Sequence, residues 1–138
     1  MMKNALVFVG ILLMQLSCAQ RPPALLSAED VDRLPSAPGD ERIPYGPGPL
    51  QFGDLRLPEG KGPFPVAIVI HGGCWVHRFA DLQNSAALAD ALRKAGIATW
   101  NIEYRRLDAP GGGWPGTFTY VADAENHLRE LAKNHPLD

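Results

Sequence analysis

The chain has 138 residues, enough for one domain with a core of its own. Apolar residues make up 46% and charged residues 20%, a globular balance, while fourteen glycines and thirteen prolines imply long loops. A net charge of −2 argues against nucleic acid or an anionic membrane surface as a partner.

The first stretch has the layout of an export signal. Lys3 gives a positive start, Ala5 to Met14 is an apolar run, and Ser17 and Ala19 are small, so a cut is expected before Gln20. Residues 1–19 therefore read as the signal peptide of a periplasmic or secreted protein. The apolar run is shorter than the roughly 20 residues a spanning helix needs, so no stable membrane span is expected. Cys18 stands where bacterial lipoproteins carry lipid, but Gln15 replaces the usual aliphatic residue, so a lipid anchor at Cys18 ranks second. Cutting after Ala19 leaves Cys74 as the single thiol, with no intrachain disulfide to form.

Residues 20–50 read as a Pro/Gly-rich arm, extended along the domain or loose, with one helical turn from Ser27 capped against Asp30. Residues 51–138 carry the domain. Gln51 to Leu57 alternates weakly and predicts an edge strand. Pro58 to Pro65 is a turn. Val66 to Ile70 is apolar without alternation, which predicts a central strand buried on both faces of a parallel sheet. A loop spans His71 to Ala80. Leu82, Ser85, Ala89, Leu92 and Ala95 recur at helical spacing, with Lys94 in the last turn and Gly96 placed to end the helix. Ile97 to Ile102 reads as a second buried strand, and Tyr104 to Gly116 as a loop. Val121, Ala124, Leu128 and Leu131 stripe a helix over Thr117 to Asn134, stopped by Pro136.

This succession predicts βαβ units with right-handed crossovers. Another strand is due where the sequence ends. The Ile97–Ile102 strand is therefore expected to lack a neighbour, and the chain to be the N-terminal part of a larger protein. His127 and His135 read as solvated surface residues, and no metal-ligand cluster is evident.

The most informative stretch is His71-Gly72-Gly73-Cys74-Trp75, directly after the Val66–Ile70 strand. Adjacent glycines let a ligand approach the main chain. Free amides at the carboxyl end of a central strand are where α/β proteins bind and react. The motif resembles the oxyanion segment of α/β-hydrolases, notably esterase-, lipase- and kynurenine-formamidase-like members. The resemblance covers about residues 50–138 and implies the N-terminal part of a doubly wound, mostly parallel α/β sheet, here incomplete. It also implies hydrolysis of a carboxylester or related acyl bond in a small molecule by a Ser-His-Asp triad, without metal or cofactor.

By the same resemblance, Gly72, Gly73 and Cys74 supply oxyanion-hole amides, Gly73 and Cys74 foremost. His71 braces the loop, and Trp75 walls the pocket or anchors packing. The family's base comes last in chain order, so it is not His71. Cys74 has no evident partner base and is not read as a nucleophile.

Asn101 to Arg106 resembles the family's next strand end, where a Tyr-Arg pair fixes the loop. A salt bridge from Glu103 to Arg105 or Arg106 is an equal reading. Gly111 to Phe118 resembles the loop into the following helix, where an Asp commonly comes next. Tyr120 holds that position here, with Asp123 one turn later.

Beyond the leader the serines are Ser27, Ser36 and Ser85, none within Gly-x-Ser-x-Gly. No triad member is expected within the chain, and the 138 residues alone should be inactive. The alternative is a catalytically inactive remnant or binding module that completes its sheet with a partner.

Overall fold

The structure, a computed structural model, describes residues 24–138. The expected signal peptide, its cleavage point and Cys18 lie outside the described residues. In chain order the elements are α1 (Ala28–Asp32), β1 (Glu41–Pro44), β2 (Phe52–Arg56), β3 (Val66–Ile70), α2 (Ala86–Lys94), β4 (Ala98–Ile102) and α3 (Gly116–Asn134). A 3₁₀ turn, Leu82–Ser85, leads into α2. The spatial order of the sheet is β1-β2-β4-β3. β2 runs antiparallel to β1 and to β4, and β3 runs parallel to β4, so the described sheet is mixed.

Every residue of β4 is buried. Strand pleating sends alternate side chains to opposite faces. Trp100 and Ile102 join Tyr45, Leu55, Ala124 and Leu131 in the core beneath α3. The Trp100 indole N–H donates to Ala124 O at 3.1 Å, satisfying its polar atom. Burying Leu55 and Ile102 contributes roughly 1.5–3 kcal/mol each. On the other face, Asn101 donates to Leu82 O at 3.1 Å and accepts from Ser85 Oγ at 2.7 Å. Helices thus cover both faces of the sheet. In β2, Gly53 is required by close approach, since a Cβ there would stand 2.7 Å from the Trp100 ring.

Several elements match expectation. Ser27 and Asp30 form a capping box at α1. Gly96 follows α2 at φ +89°. α3 begins within one residue of its predicted start.

Others differ. The arm is not loose throughout: Glu41–Pro44 is a strand, held to β2 by backbone ladder bonds and by Arg42 forking onto Asp54 at 2.7 and 3.0 Å. β2 is consequently interior and not an edge. The predicted Leu82–Ala95 helix opens with a 3₁₀ turn before becoming α-helical.

The largest correction concerns the centre. β4 is paired on both sides, and β3 is the edge strand of the described sheet. Its residues are mostly half-buried, and Ile70 is 49% exposed. Only the start of its free side is met. There Phe64 donates to Pro136 O and accepts from Asp138 N, both at 2.8 Å, in a parallel bridge with Leu137.

His127 and His135 are also less solvated than expected. The His127 ring lies 6.3 Å from Trp100, and His135 is half-buried with Nε2 3.8 Å from Glu41.

Candidate active site

β3 delivers His71 to the carboxyl edge of the parallel pair, beside Glu103 at the end of β4. The loop from Gly72 to Asp81 then leaves the sheet and returns into the 3₁₀ turn. Val76 N donates to Gly73 O at 3.0 Å, closing a tight turn around Cys74 and Trp75. Both central residues have positive φ, 52° and 58°, the conformation of primed turns that ordinarily favour glycine. Gly73 itself sits at φ +100°, and a Cβ there would meet Ala80 N at 2.9 Å and Ala80 Cβ at 2.7 Å. Among the described residues, no acceptor takes the amide hydrogens of Gly72, Gly73 or Cys74. The turn therefore presents unengaged backbone donors, held in a conformation that few side chains tolerate.

One buried carboxylate fixes both ends of this loop. Glu103 Oε1 lies 3.0 Å from His71 Nε2 at the loop's entry. Its Oε2 accepts from Leu82 N at 3.2 Å, at the exit. Glu103 also accepts from Tyr104 N at 2.8 Å and pairs with Arg106. Arg106 Nη2 reaches His77 Nδ1 at 2.8 Å, in the middle of the loop. Leu107 N donates to Trp75 O, and His77 N donates to Asp108, each at 2.8 Å. Residues 103–108 thus form a template on which the loop is laid.

Burial opposes ionisation of Glu103. The hydrogen bonds with His71 and the Tyr104 amide, together with the charge of Arg106, outweigh that effect and hold its carboxyl below the ordinary value.

His71 is 3% exposed and uses both ring nitrogens. Nδ1–H donates to Gly72 O at 2.9 Å, while Nε2 faces Glu103 and, at 3.2 Å, Arg106 Nη1. The Tyr104 ring stacks on it at 4.4 Å, and the Tyr104 hydroxyl donates to His71 O at 2.7 Å. Neither nitrogen is free to face a substrate.

The alternatives left open for Glu103 resolve to Arg106. Arg105 turns the other way, lying over the Tyr120 ring at 4.2 Å and donating to its hydroxyl and to Gly111 O. Tyr120 thereby takes Arg105, and among the described residues Asp123 meets Gln51 alone, at 3.4 Å. Trp75 is exposed and packs edge-on against Phe118 at 5.4 Å, and Phe118 in turn meets Trp114 at 5.1 Å. The anchoring of Leu82 and His77 to Glu103 and Arg106 had no signal in the sequence, because only the fold brings those residues together. Among the described residues no cluster of His, Cys, Asp and Glu could hold a metal ion. No described helix is long and apolar enough to cross a membrane.

A mixed sheet, helices on both faces and a His-Gly-Gly loop at the carboxyl end of β3 define an α/β-hydrolase. Solved structures agree. The chain is similar to a truncated carbohydrate esterase from gut microbiota, at TM-score 0.60 and 28% identity, over 70% of this chain and 34% of that one. It is similar to a bacterial heroin esterase, at TM-score 0.55 and 27% identity, over 63% of this chain and 27% of that one. The hormone-sensitive-lipase homologue EstE7 from a metagenome library shares the fold, at TM-score 0.56 and 21% identity, over 77% and 35%. The chain thus spans about a third of the length of these hydrolases. No curated protein matches it. The profile of the BD-FAE family matches residues 54–138, more than half of the sequence, and the chain belongs to that family.

Proposed function

We propose that these residues are the oxyanion-loop portion of an exported ester hydrolase acting on a small-molecule carboxylester or related acyl bond. The observation that carries the reading is the set of unengaged amides at Gly72, Gly73 and Cys74, on a loop tied at both ends to Glu103. Such donors stabilise the oxygen that becomes negative as a carbonyl is attacked. In this reading Gly73 and Cys74 donate, His71 positions them, and Trp75 walls the pocket. The nucleophile, acid and base come from sequence outside residues 1–138, since no Gly-x-Ser-x-Gly occurs within them.

The test is turnover of a nitrophenyl ester. The 138-residue chain should show no repeated turnover above a matched protein control. A product whose reading frame continues into a serine elbow should turn over, and Gly73→Pro in it should lower kcat about a hundredfold or more, the worth of one oxyanion donor. Turnover by the 138 residues that survives Cys74→Ser and disappears in His71→Ala would make His71 a working base and overturn the assignment.

Export is the second part of the proposal, resting on the layout of residues 1–19. Expressed with its own leader in a Gram-negative host, the chain should begin at Gln20 by mass spectrometry. A diacylglyceryl mass on Cys18 would install a lipid anchor instead, and an intact Met1 in the cytoplasm would refute export.

A further inference from the structure

His77 sits midway along the Gly72–Asp81 loop and is exposed to solvent. Its Nδ1 lies 2.8 Å from Arg106 Nη2. A guanidinium nitrogen only donates, so Nδ1 accepts and the ring carries its hydrogen on Nε2. Arg106 is fixed in place. It is 2% exposed, and its Nη1 pairs with Glu103 and lies 3.2 Å from His71 Nε2. One buried cation thus holds the loop by two imidazoles, His71 at its entry and His77 at its middle.

The His77 contact requires a neutral ring. A proton on Nδ1 removes the lone pair that Arg106 uses and sets two cations at hydrogen-bond distance. Imidazole is the side chain that ordinarily titrates between about pH 8 and about pH 5, whereas guanidinium keeps its proton throughout. The groups facing His77 decide what a protonated ring does next. From the 103–108 segment these are Arg106 and Asp108, whose Oδ2 already accepts from His77 N at 2.8 Å. Leu50 and Ala109 line the adjoining recess of about 260 Å³ with them and carry no charge. On the loop itself the neighbouring charge is Arg78, turned onto the Phe79 ring at 4.6 Å. Glu103 stands behind Arg106 and is committed to it, to His71 and to the Leu82 and Tyr104 amides. Asp108 is therefore, among the described residues, the carboxylate to which an imidazolium at position 77 would turn.

We propose that His77 is a pH-operated latch on this loop: neutral, it is held by buried Arg106; protonated, it leaves Arg106 for Asp108 and loosens the turn from Val76 to Phe79. That turn is the part affected because Phe79 N donates to Val76 O at 3.0 Å, closing the chain around His77. The loop's entry and exit stay tied to Glu103. The latch stands on the geometry of His77, Arg106 and Asp108, while its effect on catalysis rests on the oxyanion-loop reading. In that reading, acid relaxes the segment that follows the Gly73 and Cys74 donors.

NMR of the 138-residue chain tests the latch without any activity measurement. Long-range proton–nitrogen spectra at about pH 8 should show His77 with its hydrogen on Nε2 and a bare Nδ1. Protection of the Phe79 amide against hydrogen exchange, corrected for the intrinsic effect of pH, should fall about fivefold by about pH 5, the equilibrium worth of one hydrogen bond. His77→Gln keeps an acceptor for Arg106 and cannot titrate, so Phe79 protection should become independent of pH. His77→Lys presents a permanent cation and should give the low protection at both pH values, with circular dichroism unchanged. A hydrogen on Nδ1 at about pH 8, or wild-type protection equal at both pH values, overturns the proposal. So does a pH response that persists in His77→Gln, which would place the titrating group elsewhere, His71 first. Ester turnover is a separate test: a failed latch leaves the loop amides in place, and a failed hydrolase reading leaves the latch measurable.

Discussion

Gly72 and Gly73 are adjacent but differently constrained. Nothing lies within 4 Å of a Cβ built on Gly72, whereas at Gly73 the added atom meets Ala80 and the backbone is left-handed. Gly73→Ala should therefore cost at least about 2 kcal/mol, from backbone strain plus overpacking, and Gly72→Ala less than about 1 kcal/mol. Urea denaturation of the two variants checks this, and equal losses would contradict the turn geometry. Glu103 gives a prediction in pH. Its folded-state value lies below the ordinary carboxyl value, so its ionised form stabilises the fold above about pH 4.5 and that contribution is lost as pH falls through the lower folded value. Glu103→Gln should cost about 3 kcal/mol near pH 7 by leaving Arg106 buried and unpaired. It should also make the decline in stability between about pH 5 and pH 3 shallower. Asp90, likewise held low, first by its bond from Lys94, keeps the slope from vanishing. An unchanged slope in urea titrations across that range would remove Glu103 from this role.

At the level of elements, the apolar runs of β3 and β4, the stripe of α3 and the Ser27 cap were legible, because each depends on neighbours close in sequence. The order of the sheet was not. Both strands look apolar, and only pairing with β2 makes β4 the centre. β1 was hidden because Ile43 is its single apolar residue besides proline, and its hold on β2 includes the Arg42–Asp54 fork. β2 looked like an edge because Gln51 to Leu57 alternates only weakly, yet its polar residues Asp54 and Arg56 are both buried. In the site, the glycine motif was visible, while the grip of Glu103 on Leu82 was not, since 21 residues separate them. The exposed edge of β3 carries its own prediction. Unpaired strands recruit other strands, and lysine blunts them. Ile70→Lys should slow aggregation of the chain in light-scattering measurements without altering its circular dichroism. Equal aggregation would show that another surface drives association.

For the molecule as a whole, the covered and uncovered regions divide at β3. Helices close both faces around β4, while a recess of about 310 Å³ beside Val66, Ile68, Leu128 and Leu137 stays open next to the β3 edge. Families of α/β-hydrolases place chemistry at one end of such a sheet, and the loop of Gly73 stands at that end. The spatial order β1-β2-β4-β3 has a consequence for assembly. The β1–β2 hairpin joins neighbours in sequence, whereas β3 meets β2 only through Ala98–Ile102, the strand that lies between them. Without that strand in place, the apolar Val66–Ile70 segment has no partner in the described sheet.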